Sequence, residues 1–95
     1  MRVRFTETAL AETREIYSYI VSDNPLAARK LQAAIERSLA WIAKWPHTPP
    51  IVYDGNVRAK LVTGYQYRIF HTAEDEVVIR NIRSTRRLRP WEDVS

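Results

Sequence analysis

Arginines are the residues of this chain whose type and spacing best suit chemistry. Arg80, Arg83, Arg86, Arg87 and Arg89 fall within ten positions, and no acid interrupts them. Upstream, Arg58 and Lys60 alternate with apolar residues, and Arg68 follows in an aromatic-rich segment. Guanidinium groups held in place bind phosphate and stabilise charge developing on a transferred phosphoryl group. They bind the carboxylates of a protein partner equally well. RNA cleavage would also require a general base and a general acid beside the scissile phosphate. Spacing alone assigns no Glu, His or Tyr to that place.

Other chemistries have less support. His47 and His71 are isolated, with no metal-ligand spacing around them, so structural or surface roles are expected for both and no metal is. The absence of cysteine excludes disulfides, thiolate nucleophiles and cysteine zinc sites. Gly55 and Gly64 are the only glycines, so no phosphate-cradling loop is present and no cofactor is expected. No nucleophile elbow occurs. Tyr17, Tyr19, Tyr65 and Tyr67 read as core or rim aromatics. Trp41 and Trp45, four residues apart, are expected to cover one end of a helix against the sheet.

The elements that must position the basic residues follow from composition and period. Ninety-five residues with 45% apolar and 27% charged content make one ordinary globular domain, spanning 1–95. No apolar run reaches about 18 residues, and the N-terminus has no apolar segment of the secretory kind, so a cytoplasmic protein without membrane contact is expected. The formal charge is +4. Eight basic residues between Arg58 and Arg89 face only Glu74, Asp75 and Glu76, which points to an anionic partner.

VRF at 3–5 reads as a short strand. Thr6 can cap a helix whose apolar positions recur at Ala9/Leu10, Thr13, Ile16/Tyr17 and Ile20. Asn24 can cap a second, with Pro25 at its first position. That helix continues through Leu31, Ala34/Ile35, Leu39 and Ile42, and Pro46 stops it. The short link predicts an antiparallel helix hairpin. HTPPIVYDGN reads as a loop. Three strands follow, over 56–62, 65–72 and 77–82, joined by links short enough for an antiparallel meander.

The expected fold is α+β, ordered β-α-α-β-β-β, with the hairpin on one face of a mainly antiparallel sheet. Leu10, Ile16, Ile20, Leu31, Ile35 and Ile42 are the expected core stripe. Arg58 and Lys60 alternate with Val57, Ala59 and Leu61 and are expected on the open face, with Arg68 joining from the next strand. Strict alternation in the last strand groups Arg80 with Val78 and Ile82, and Arg83 with Ile79. It leaves open which arginine enters the basic face.

Several motifs, in this order and spacing, resemble the RelE/ParE toxin superfamily. They are IYSYI at 16–20, SDNP at 22–25 followed by Ala27-Ala28, VRAK at 57–60, YQYRIF at 65–70, and Val77-Val78-Ile79 leading to IRSTR at 82–86. The resemblance covers nearly the whole chain and implies a type II toxin neutralised by an antitoxin encoded beside it. RelE-like members cut mRNA in the ribosomal A site, and ParE-like members poison DNA gyrase.

The long hairpin and the helix start at NP-then-AA resemble the ParE branch. The resemblance matches Arg58, Lys60, Arg68 and Arg86 to the basic residues of the nuclease branch. However, Arg83 stands where many relatives carry histidine. After Ile82 there is no histidine or tyrosine, and Trp91 is the only further aromatic. The expectation is therefore a gyrase inhibitor that contacts DNA only through its antitoxin, with Arg58, Lys60, Arg68, Arg83, Arg86, Arg87 and Trp91 binding target or antitoxin. A ribosome-dependent endoribonuclease and an inactive binding relative are the alternatives.

Overall fold

A computed structural model of the chain describes residues 1–85. Its elements are β1 (Val3–Phe5), α1 (Glu7–Asp23), α2 (Pro25–Lys44), β2 (Ile51–Tyr53), β3 (Val57–Leu61), β4 (Tyr67–Ala73) and β5 (Val77–Ser84). The strand order is β1-β5-β4-β3-β2. β1 runs parallel to β5, and every other pairing is antiparallel. The fold is thus the expected α+β arrangement, with a strand added at each side of the meander.

The helix ends form where their capping residues lie. Thr6 Oγ1 accepts from the Ala9 N–H at 3.1 Å. The link between the helices is a single residue. Asn24 donates its N–H to Ile20 O at the end of α1, and its Oδ1 accepts from the Ala27 N–H at the start of α2. One residue closing one helix and opening the next leaves little freedom in the hairpin. Pro25 occupies the first turn, where its missing N–H has no helical partner to lose.

Residues 51–53, expected as loop, form β2. Two β-branched residues and a tyrosine suit an edge strand, and Pro49 and Pro50 precede it where no ladder donor is required. Gly64 takes φ 86°, with nothing within 4 Å of where a Cβ would stand, so conformation rather than space calls for glycine in the β3–β4 turn.

The core lies between α2 and one face of the sheet. Leu31, Ala34, Ile35 and Ile42 pack with Val62, Ile69, Val77, Ile79 and Ile82 in one buried cluster. Each of the large aliphatics contributes about 1.5–3 kcal/mol. Of the expected stripe, Leu31, Ile35 and Ile42 are buried, and Ile16 and Ile20 pack partly against the cluster. Leu10 is 40% exposed, and its neighbour Ala9 is fully buried instead. A methyl side chain lets α1 approach the sheet more closely than leucine would.

β1 covers β5 only as far as Ile79, so the rest of that edge needs other partners. The Thr6 N–H donates to Ile79 O, and Thr6 Oγ1 donates to Arg80 O. Further along α1, Glu12 turns its carboxylate onto the strand. Oε1 accepts from the Ile82 N–H and the Asn81 Nδ2 amide, each at 3.1 Å. Oε2 accepts from Arg83 Nε at 2.7 Å. Both members of this ion pair are largely covered, at 16% and 22% side-chain exposure. Removing the carboxylate would leave the Ile82 N–H without its acceptor and take the charge partner from a largely covered arginine. Glu12→Ala should therefore lower the unfolding free energy by about 3 kcal/mol in urea titrations. Glu15→Ala, on the exposed side of the same helix, should change it by less than about 0.5 kcal/mol. A Glu12→Ala loss below about 1 kcal/mol would show that the edge does not depend on this contact.

Candidate functional site

The strand register decides which basic residues share a surface. Arg58 pairs with His71 and Lys60 with Ile69, and directly paired residues point to the same face. Ile69 and, two positions beyond Lys60, Val62 are fully buried in the core cluster. Arg58 and Lys60 therefore lie on the helix-covered side, not on the open face where they were expected. The alternation was read correctly and its sidedness was not. Within β3 every apolar residue lies on the other parity, and the side of Arg58 and Lys60 is drawn inward by Val62, just past the strand, and by Ile69 across from Lys60, so the strand alone points to the wrong side.

On the covered side Arg58 has a defined task. Its Nη1 donates to His47 O at 2.8 Å and to Pro49 O at 2.7 Å. His71 Nε2 lies 2.9 Å from Pro46 O, and the Ala59 N–H donates to Pro50 O. Together these contacts tie the proline-rich strap between α2 and β2 down to β3 and β4. Lys60 extends its ammonium over the Trp41 ring, 4.8 Å from the centroid, and Nζ donates to its neighbour's carbonyl, Leu61 O. Trp41 thus touches the sheet as expected, yet it stays 37% exposed, and Trp45 stays 50% exposed.

His71 is fully buried, a stronger version of the structural role expected for it. With Nε2–H donating to Pro46 O, Nδ1 carries the lone pair. It is buried without a hydrogen-bond partner among the described residues. Burial pushes the His71 pKa below its usual value. The Pro46 hydrogen bond opposes that, while the charges of Arg58 and His47 lower it further.

The open face carries a different basic set. Arg68 pairs with Arg83, Phe70 with Asn81, and Thr72 with Val78, whose partner across β5 is Arg4. A bulge makes Arg80 the extra residue of β5, since Phe70 faces Asn81 while His71 faces Ile79. The extra residue shifts the alternation, so Ile79 and Ile82 both reach the core. Arg80 donates to Thr72 Oγ1 on the open side. This settles the ambiguity of the last strand. Arg83 joins Arg68 on the open face with its Nε on Glu12, Arg80 joins through the bulge, and Arg4 pairs with Glu76 at 2.7 Å. Arg68 makes no ion pair among the described residues.

The structure thus brings Arg68 and Arg83 together and puts the sheet between them and Arg58 and Lys60. Arg86, Arg87 and Trp91 lie outside the described residues. Sequence reasoning missed Glu12, whose place in an apolar helical repeat was the available signal, and it missed the clamp of Arg58 on the strap. It also missed a groove of about 520 Å³ between α1 and the end of β5, where Ile16, Tyr19 and Tyr67 meet Glu12, Glu15 and Arg83. Among the described residues no cluster of three or more His, Cys, Asp or Glu could hold a metal ion, and no helix is long and apolar enough to cross a membrane.

Comparison with known proteins adds to this geometry. The family model for the ParE toxin of the type II toxin-antitoxin system, parDE, matches residues 3–89. A chain in the solved structure of the chromosomal ParDE TA system from P. aeruginosa superposes with a TM-score of 0.75. It is 18% identical, and the match covers 88% of this chain and 95% of that one. At that identity the likeness shows the shared fold. No curated protein sequence matches the chain.

The His71 environment predicts a pH dependence. In the unfolded chain the imidazole titrates near about 6.5, and in the folded protein it titrates lower. The stability of the neutral form is then complete above about pH 6.5 and is lost as the pH falls toward the folded-state value, because the unfolded chain binds the proton more readily. Urea midpoints should drop between about pH 7.5 and pH 5, and His71→Gln should flatten that drop. Equal slopes for the two proteins would remove His71 from the explanation.

Proposed function

Because the chain belongs to the ParE toxin family of type II toxin–antitoxin systems, we propose that it inhibits DNA gyrase and that a cognate antitoxin, encoded beside it, neutralises it. One observation favours this reading over the nuclease alternative: the sheet separates the basic residues that RNA cleavage would need together. Arg58 is committed to two strap carbonyls and Lys60 to Trp41 and Leu61 O, all on the helix side. Arg68 lies on the other side, and one phosphate cannot be gripped from both. His71 is buried on the helix side against Pro46 O, away from Arg68.

The open face suits docking to a large protein. Arg68, Arg80 and Arg83 share this face, and arginine is among the residues that most often carry binding energy at interfaces, while Phe70 on the same face is itself buried. Arg86, Arg87 and Trp91, which follow β5 in sequence, are proposed to bind target or antitoxin as well. Arg58 keeps a supporting role, because the strap it holds shapes the neighbouring edge. DNA is contacted only through the antitoxin, and both partners place the protein in the cytoplasm.

Purified protein at micromolar concentration, added to gyrase and relaxed plasmid, should block supercoiling and trap cleaved DNA. Arg68→Glu should weaken that inhibition by about tenfold or more while leaving the fold intact. Unaltered supercoiling with no cleavage complexes would refute the gyrase reading. Toeprinting on translating ribosomes should show no A-site cuts, and their appearance would favour the endoribonuclease.

A further inference from the structure

The corner where the C-terminal half of α2 meets β3 lies on the opposite side of the sheet from Arg68 and Arg83. A groove of about 240 Å³ runs there, lined by Ala34, Arg37, Ser38, Trp41, Lys60 and Thr63. Ser38 is buried, with its hydroxyl spent on Ala34 O. The groove thus offers two cations and one large ring. Arg37 is exposed and makes no ion pair among the described residues. One turn beyond Trp41, Lys44 lies 5.6 Å from the ring centre of Trp45. No carboxylate lines the groove, and Glu36, beside Arg37 in sequence, accepts from Gln32 Nε2 at 3.4 Å on the same helix.

The backbone at this corner is also open. The Ala59 N–H points to the β2 side of β3, where it donates to Pro50 O. Leu61, two residues on, directs its N–H and C=O to that same side, beyond the last residues of the strand pairing. Its carbonyl accepts from Lys60 Nζ at 3.1 Å, and its side chain is 50% exposed. A short, lysine-guarded edge of this kind discourages pairing with an uncharged strand.

We propose that this corner is a docking groove for an extended acidic and apolar segment of a partner protein, which on the toxin–antitoxin reading above is the antitoxin. Carboxylates of the segment lie between Arg37 and Lys60, and an apolar side chain covers Trp41. Drawing the Lys60 ammonium toward a carboxylate frees Leu61 O to accept a backbone N–H from the incoming strand. The same charges argue against a second copy of this chain as the occupant, since two such grooves would meet with like charge.

The test uses the antitoxin encoded beside the gene, titrated calorimetrically into the full-length toxin. Arg37→Glu, Lys60→Glu and Trp41→Ala should each raise the dissociation constant by about tenfold or more, whereas Arg68→Glu on the open face should leave it within about threefold. Wild-type affinity should fall steadily as salt rises from about 50 to 300 mM. Arg37 is exposed on a helix, so its variant keeps the fold even if Lys60→Glu disturbs β3, and circular dichroism checks both. Affinities within about threefold for Arg37→Glu and Trp41→Ala would overturn the proposal while leaving the toxin–antitoxin reading intact. A changed oligomeric state of the toxin alone, with unchanged antitoxin affinity, would overturn it in favour of a self-interface. An antitoxin that does not bind the wild-type protein would overturn both.

Discussion

The carboxylate of Glu12 holds the two halves of this molecule in register. β1 is three residues long and leaves the outer side of β5 without a strand neighbour after Ile79. Edge donors left bare so close to the core would be costly. Glu12 meets that need by accepting from the Ile82 N–H while it pairs with Arg83 and Asn81. The helix that carries it is thereby set along the strand. Through the single-residue link at Asn24, the direction of α2 follows, and with it the side of the sheet that becomes the core.

Once one side is covered, the sheet becomes a divider. Val62 and Ile69 commit their parity to the interior, and that commitment carries Arg58 and Lys60 with it. A long basic side chain at the margin of a core can turn its charged end outward along the apolar surface. Arg58 does so by reaching the carbonyls of the strap, and Lys60 by lying on Trp41. On the other side Arg80 is exposed and Arg68 partly so, while Arg83 lies against Glu12 and Phe70 is buried. The protein therefore presents two basic surfaces of different make: a flat one of guanidinium groups on the sheet, and a grooved one of cations stacked on tryptophan. The antitoxin and the target of a toxin need not compete for the same residues when the surfaces are divided in this way.

Much of this organisation is local and so was legible in the chain. A capping threonine, an asparagine–proline pair and a helix-stopping proline at position 46 delimit the two helices through interactions among neighbours a few residues apart. Alternation in VRAKL and the apolar run at Val77–Ile79 identify strands by the same kind of short-range rule. The features that escaped depend on pairing between distant segments. IVY at 51–53 becomes a strand because β3 is there to receive it, and although VRF was expected as a strand, its parallel pairing with β5 is set only across the whole helical hairpin. The bulge at Arg80 is invisible in a strand read alone, because an extra residue is extra only relative to a partner.

The charge census, the helix boundaries, the strand alternation and the family resemblance were all determined by the order of residues. Each rests on contacts or conformational preferences spanning a few positions, or on motifs in linear sequence. Tertiary structure alone decided which alternating set faced inward, and so separated Arg58 and Lys60 from Arg68, buried His71, and paired Arg83 with Glu12. Side-chain period is two in any strand, and the apolar parity within β3 is not the one that faces the core. Only the docking of α2 on one face, held by Glu12 seventy residues away from its partners on β5, breaks that symmetry.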